Sequence, residues 1–453
     1  MTPTGIQDRI NQTERLTEKA ELRRQVEEII NTTPVVDIHT HLFAPEFEEL
    51  SLYGIDDLLT YHYLIAEMFR STRISHEHFW QMSKTEKADL VWKTLFVENS
   101  PLSEAARGVI TVLAAFGLDP NAPDLEEARD FFRSRNLSEH LDQVLEAASV
   151  SDIVMTNDPF NDQEARVWKS GGLMDKRFHA ALRIDPLLND WQNTASKLSS
   201  LGYDVDTGLR RKTATEARRF LDKWIALMKP LCMAVSLPDD FKFPDDTARD
   251  QLLREVVLPT AAEHDLPLAV MIGVRRGVNP ALRSAGDGVG RADVKAVEHM
   301  CAETPEVRFL ATFLSRENQH ELCVAARKFN NLMPFGCWWF LNNPSIVSEI
   351  TRERIELLGT SFIPQHSDAC ILEQLIYKWQ HSRRVIADSL YEAYEHLLAS
   401  GRAVTRTEIA RDVTRLFSGN FHNWVRPDKA DTLAEKWPEE TGRDTIIKFP
   451  AAK

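Results

Sequence analysis

From residue 152 onward the chain repeats one rhythm, a short apolar run followed by a helical stretch. The runs are 152–157 (DIVMTN), 178–185 (FHAALRID), 230–235 (PLCMAV), 266–273 (LPLAVMIG), 307–314 (VRFLATFL), 332–338 (LMPFGCW) and 361–368 (SFIPQHSD). One more stands far upstream, at 34–41 (PVVDIHTH). Helical patterns such as 213–228, 247–264 and 294–303 separate them. Continuous apolar strands alternating with helices predict an α/β fold with a parallel sheet covered on its outside. About eight such units predict a (β/α)8 barrel of the TIM type, whose chemistry sits at the C-terminal strand ends. The structural alternative is an open doubly wound sheet. It would carry a Gly-rich phosphate turn after its first strand, and none is present.

The long gap between the first two runs is helical. Residues 54–70 suggest one helix, and four more are predicted at 76–96, 102–118, 124–135 and 137–148, each behind a capping residue. This block reads as a helical insertion after the first strand. A charged amphipathic helix over about 13–30 leads into that strand, and 372–418 is helical again. The predicted organisation is a helical lead-in (1–33), the first barrel strand with an active-site loop (34–70), the helical insertion (71–150), and the remaining barrel with C-terminal helices (151–453). The last thirty or so residues, with Pro427, Pro438 and Pro450, read as irregular.

The strand at 34–41 ends in His39-Thr40-His41. Alternate side chains of a strand share a face, so two imidazoles would point the same way at its end. That is a good start to a metal site. The same spacing recurs at His76-Glu77-His78, but behind Ser75 and in a helical pattern, where positions two apart diverge by about 200°. That pair is set aside. A third ligand should come from another strand end, and Asp368 closes the last run. Its bland role is a helix N-cap; beside a metal it would coordinate and accept a proton. His366 shares its face by alternation and is a weaker candidate.

These residues carry a resemblance. A first-strand Asp-x-His-x-His with an Asp on the eighth strand resembles the amidohydrolase superfamily of metal-dependent barrels. Within it the chain is similar to the uronate isomerase family. His62-Tyr63 followed by Arg70, Arg183-Ile184-Asp185, the 273–279 loop (GVRRGVN), 336–340 (GCWWF) and Ser418-Gly419-Asn420 match that family's motifs in order along nearly the whole chain. There are departures. Two-metal members need a Lys or carboxylate on strand four and His on strands five and six. Here 232–235 (CMAV) and Met271 occupy the first two of these positions, and the sixth strand has no His. One metal ion, held by His39, His41 and Asp368, is therefore expected, zinc by ligand type. Cys370 stands where the family has an arginine, and Ser236-Leu237 where it has Asp-His.

The resemblance implies aldose–ketose interconversion of a hexuronate or related sugar acid by proton transfer through an enediol. Asp368 would be the base and His62 or Tyr63 the second acid–base group. Arg183, Arg275 and Arg276 are candidates for a substrate carboxylate, against surface or interdomain ion pairs. Trp338 and Trp339 would offer a wall to the sugar, or pack the barrel mouth. The runner-up is a metal-dependent hydrolase or lyase on another carboxylated substrate, with Asp368 as base toward water. A barrel that has lost its chemistry is the third reading, and retention of His39, His41 and Asp368 weighs against it.

Composition bounds the rest. At 453 residues, with 43% hydrophobic and 27% charged, the chain is globular, either one large domain with an insertion or two domains. A net charge of -14 argues against nucleic acid or anionic membrane as partners. Five scattered cysteines, without Cys-x-x-Cys spacing, and the lack of an apolar leader or spanning run point to a reducing, cytoplasmic setting. The partner that the resemblance implies is a small sugar acid. A homo-oligomer is compatible with the sequence, which does not determine the state.

Overall fold

In the computed structural model, which describes residues 15–171 and 174–427, seven strands form one parallel sheet in sequence order. They are β1 (Val35–Thr40), β2 (Val150–Asn157), β3 (Phe178–Arg183), β4 (Cys232–Pro238), β5 (Leu268–Arg275), β6 (Phe309–Phe313) and β7 (Leu332–Pro334). A two-residue strand, Gly288–Val289, pairs antiparallel with β5. Period-two alternation sorts the strand residues. Val36, Ile38, Val154, Ala234 and Met271 join one apolar cluster, while Leu182, Met233, Val235, Val270 and Ile272 join another that includes residues of the covering helices.

The eighth predicted strand differs. Residues 361–368 contribute only an isolated parallel bridge, Phe335 to Ile363, so the ladder is open between β7 and β1. The reason is where the backbone donors go. Pro364 has no N–H, the His366 N–H meets its neighbour Gln365 Oε1, and the Ser367 N–H meets Asp37 Oδ1. Side chains thus take the donors a ladder would use. The segment still bonds both edges, through Ile363 N to Pro334 O at one and Asp368 N to His39 O and His41 N to Ala369 O at the other. The run at 332–338 is likewise shorter as a strand, ending at Pro334 before Gly336 turns the chain with φ +62°.

The stretch between β1 and β2 is helical, as expected, but in more pieces. The predicted 54–70 helix is two, Ile55–Leu59 and α2 (His62–Ser71), and 76–96 divides after Gln81. The breaks fall at Tyr61, in extended conformation, and at Ser83, whose side chain and Glu86 form a capping box. Ser75, Ser103 and Asn136 cap their helices, Ser103 from inside the predicted 102–118 span, whereas the helix Glu126–Arg133 starts behind Leu125 with no side-chain cap. The last helix of the block, α3 (Leu137–Ala148), has the predicted bounds. The lead-in helix α1 (Lys19–Thr32) starts later than predicted, after a short strand, Arg15–Leu16, paired with Val404–Thr405. Residue 13 and the segment beyond 427 lie outside the described residues. The long helix α4 (Gln374–Ala399) packs on α1, on α3 and on Glu104–Ala115 of the insertion. No described helix is long and apolar enough to cross a membrane.

Candidate metal centre and surrounding pocket

His39 is the second-last residue of β1, where the pairing with β2 shifts register between Asp37 and Thr40, and His41 lies just past the strand end. Their rings are 5.3 Å apart, and both Nε2 atoms approach one oxygen, Asp368 Oδ1, at 3.3 and 3.5 Å. One donor atom from each of the three residues falls within 4.8 Å of the others. His39 and Asp368 are buried, His41 partly so. His39 Nε2 and Asp368 Oδ1 make no hydrogen bond, although both are buried polar atoms. Such atoms are costly unless something else satisfies them. The chemistry of the set, two imidazole nitrogens and one carboxylate oxygen, fits a divalent ion with a further position open.

The neighbouring residues orient this set. Thr156 Oγ1 gives its only proton to Thr40 O at 2.6 Å, so at 3.4 Å it faces His39 Nδ1 as an acceptor. The proton then sits on Nδ1, and the Nε2 lone pair is left toward the cluster. Asp37, fully buried, accepts from Ser367 N at 3.0 Å and from Trp379 Nε1 at 2.8 Å. It thereby ties the strand to the loop that carries Asp368. Asp368 itself has φ +53°, a left-handed conformation that costs a non-glycine residue about 1–2 kcal/mol. Burial alone would raise the Asp368 pKa, but His39 and His41 outweigh it and hold the carboxyl well below its usual range. Burial lowers His41, against the pull of Asp368.

His366 is buried beside this cluster, its ring 5.1 Å from that of His39, yet it does not join the ligand group. Both its ring nitrogens lack hydrogen bonds, and burial depresses its pKa strongly. His76 and His78 lie in a separate helix, with His76 stacked on Phe69.

His62 and Tyr63 open α2, with ring centroids 4.4 Å apart. Trp339 Nε1 donates to His62 Nε2 at 3.1 Å. Burial lowers the His62 pKa to about 4, so the ring is neutral at pH 7. The Tyr63 hydroxyl is buried without a hydrogen-bond partner, and burial raises its pKa well above the ordinary value.

The other predicted residues are placed as follows. Arg183, at the end of β3, lies 3.1 Å from Asp185 and close enough to His41 for its charge to lower that imidazole's pKa. Arg275 and Arg276, with side chains 56% and 62% exposed, stand beside Asp239 and Asp287, an ion-pair setting. The Arg276 guanidinium also lies 5.9 Å from the centroid of the Trp339 ring. Trp338 is buried in the apolar cluster of Phe335 and Ile363, and Trp339 is packed at its edge. Met271 belongs to the same cluster, so strand five has no ligand for a second ion.

Two residues that matter here were not singled out in the sequence. Asp37 had a signal, its place at the head of Asp-x-His-x-His. Lys378 had none: a lone lysine in a helix becomes notable only once it is found buried beside Tyr63.

Neither a family model nor a curated protein matches the chain. Solved structures do. A uronate isomerase from Thermotoga maritima has a TM-score of 0.71 at 16% identity, with 90% of this chain and 99% of that one covered. A glucuronate isomerase from Caulobacter crescentus has a TM-score of 0.72 at 15% identity, over 90% of this chain and 95% of that one. Those two likenesses speak to the fold alone. A uronate isomerase from Bacillus halodurans is far more similar, with a TM-score of 0.90, 52% identity, and 93% of this chain and 100% of that one covered. At that identity over that length, the chain belongs to the uronate isomerase family.

Proposed function

We propose that the protein interconverts the aldose and ketose forms of a hexuronate, with one divalent ion, zinc, held by His39, His41 and Asp368. The carrying observation is the convergence of three donor atoms, two of them buried without hydrogen bonds, in a member of this family. Two imidazoles and a carboxylate are a ligand set suited to zinc. When bound, the ion would polarise the carbonyl and hydroxyl oxygens of the sugar acid.

The chain's own groups then move the protons. Asp368, ionised because its pKa is held low, removes the proton from C2 as O1 gains one, giving the enediol. Loss of the O2 proton and delivery of one to C1 completes the ketose, so no atoms are gained or lost. Tyr63 is the better placed partner for the oxygen protons, because its hydroxyl has no other hydrogen bond. His62 has its Nε2 engaged by Trp339 and holds the tyrosine by ring packing. Arg183 is read as the cation nearest the ligands, Arg275 and Arg276 as cations at the rim, and Trp339, backed by Trp338, as the sugar-facing wall.

The fold and domain readings extend in the same way. Bonds from 363–369 to both sheet edges support a (β/α)8 barrel closed by that segment. The division into lead-in (1–33), first strand and loop (34–70), insertion (71–150) and remaining barrel (151–453) is part of the same proposal.

Zinc-loaded protein incubated with glucuronate and with galacturonate should form ketose. Hydrolysis or elimination of some other acid, with no ketose, would sink this reading in favour of the hydrolase or lyase alternative, which family membership disfavours. His39→Ala, His41→Ala and Asp368→Asn should each lower bound metal, measured by elemental analysis. Full metal content in all three would move the site elsewhere.

A further inference from the structure

The arginines around the metal centre bring their own counter-charges. Arg183 faces Asp185 at 3.1 Å, Arg275 faces Asp239 at 3.9 Å, and Arg276 is bonded to Asp287. Lys378 does not. It sits in the second turn of α4 and is only 2% exposed. Among the described residues its ammonium has no hydrogen bond and no ion pair. Its Nζ lies 6.0 Å from the centroid of the Tyr63 ring, and its charge is felt by His62, His366 and Cys370. An aromatic face offsets part of a buried charge, about 0.5–2 kcal/mol. Withdrawing most of an ammonium's hydration is costly without a counter-ion, and Nζ itself keeps a small exposed surface.

The local sequence explains how the lysine is held there. Gln374, one turn earlier on the same helix face, accepts from Cys370 N and Ile371 N, fixing the loop after Asp368 to the helix start. Tyr377 packs against Gly108, and Trp379 reaches Asp37. The residues on either side of Lys378 are therefore anchored in opposite parts of the fold. Its stem is carried inward between them, toward the tyrosine whose hydroxyl also lacks a partner. A buried cation beside an unsatisfied hydroxyl marks a place prepared for an anion.

We propose that Lys378 recognises the charge of the substrate, with the bound sugar acid serving as its missing counter-ion. This rests on the uronate reading above. The negative charge could reside on the carboxylate, present from the moment of binding, or on the enediolate that forms during reaction. The two are separable, since the first raises KM when the lysine is lost and the second lowers kcat.

The test uses the full-length zinc-loaded protein and the variants Lys378→Met and Lys378→Arg. Glucarate, a diacid with no aldehyde to isomerise, serves as the binding probe in calorimetry. Lys378→Met should bind it at least about 10-fold more weakly, and Lys378→Arg should recover much of the loss. Without ligand, Lys378→Met should be as stable as the parent or more so in urea, with unchanged zinc content. Greater stability with weaker anion binding is a pattern a purely structural lysine would not produce. Unchanged glucarate affinity with unchanged KM and kcat would overturn the proposal. So would failure of Lys378→Met to fold, because the ammonium is held here to cost the empty fold stability. If the parent protein binds glucarate but forms no ketose, the isomerase reading fails while the role of Lys378 stands.

Discussion

At the scale of single residues, the site is set by which groups are deprived of water. His62 is the plainest case. Its ordinary pKa of 6.5 falls to about 4 through burial, and Trp339 occupies the nitrogen that a second proton would need. Between those two values the unfolded chain binds a proton that the folded chain does not. Stability therefore falls as pH drops through this window. Glu164 opposes it, since burial pushes its carboxyl up to about 7 and the folded state then holds the extra proton above pH 4.5. Comparison with a variant isolates the histidine: His62→Gln, which keeps an acceptor for Trp339, should show a shallower loss of urea midpoint from pH 7 to pH 5. An identical slope in both proteins would mean that His62 charges freely in the folded state.

Among the elements, the segment 361–368 matters most, because it is less a strand than a hinge between two sheet edges. Its partner Gly336 has φ +62°, and a Cβ there would lie 1.9 Å from Cδ2 of the buried His366. Gly171 provides a control, with φ +68°, ψ +21° and nothing within 4 Å of the same Cβ. Gly171→Ala should cost only the left-handed penalty, about 1 kcal/mol. Gly336→Ala should cost at least about 2 kcal/mol more by urea unfolding, and lower zinc affinity as His366 is displaced toward the ligands. Equal losses in the two variants would show that the His366 contact is easily relieved. The sequence pattern identified this segment as apolar and strand-like. It could not show that Gln365 and Asp37 would take the backbone donors, because Asp37 is 330 residues away.

Across the whole molecule, the helical insertion is clamped to the segment that carries Asp368 through a buried pair. Glu373, at the start of α4, accepts from His140 Nε2 of α3 at 2.6 Å and from Gly54 N at 3.0 Å. Both side chains are wholly buried. The clamp joins the block between β1 and β2 to the loop carrying Asp368, five residues before Glu373 in the sequence. Glu373→Ala leaves the Gly54 N–H and the imidazole without partners. A loss of about 3 kcal/mol or more is expected, together with weaker zinc retention as the loop loosens, read by urea unfolding and by metal competition with a chelator. Normal stability and normal zinc retention would make the insertion an independent appendage.

What the sequence by itself determined depends on near neighbours. Continuous apolar runs set the strands, serine and asparagine caps set several helix starts, and His39-Thr40-His41 set two imidazoles on one face of a strand end. Each of these is written within a few residues, where backbone geometry alone decides which side chains meet. Tertiary structure decided the rest. Trp379 reaches Asp37 across 342 residues and Trp339 reaches His62 across 277. The isolation of Tyr63 and the missing counter-charge of Lys378 are properties of a volume enclosed by several elements. Desolvation has no signature in a one-dimensional pattern, and it is desolvation that moves the pKa values of His62 and Tyr63.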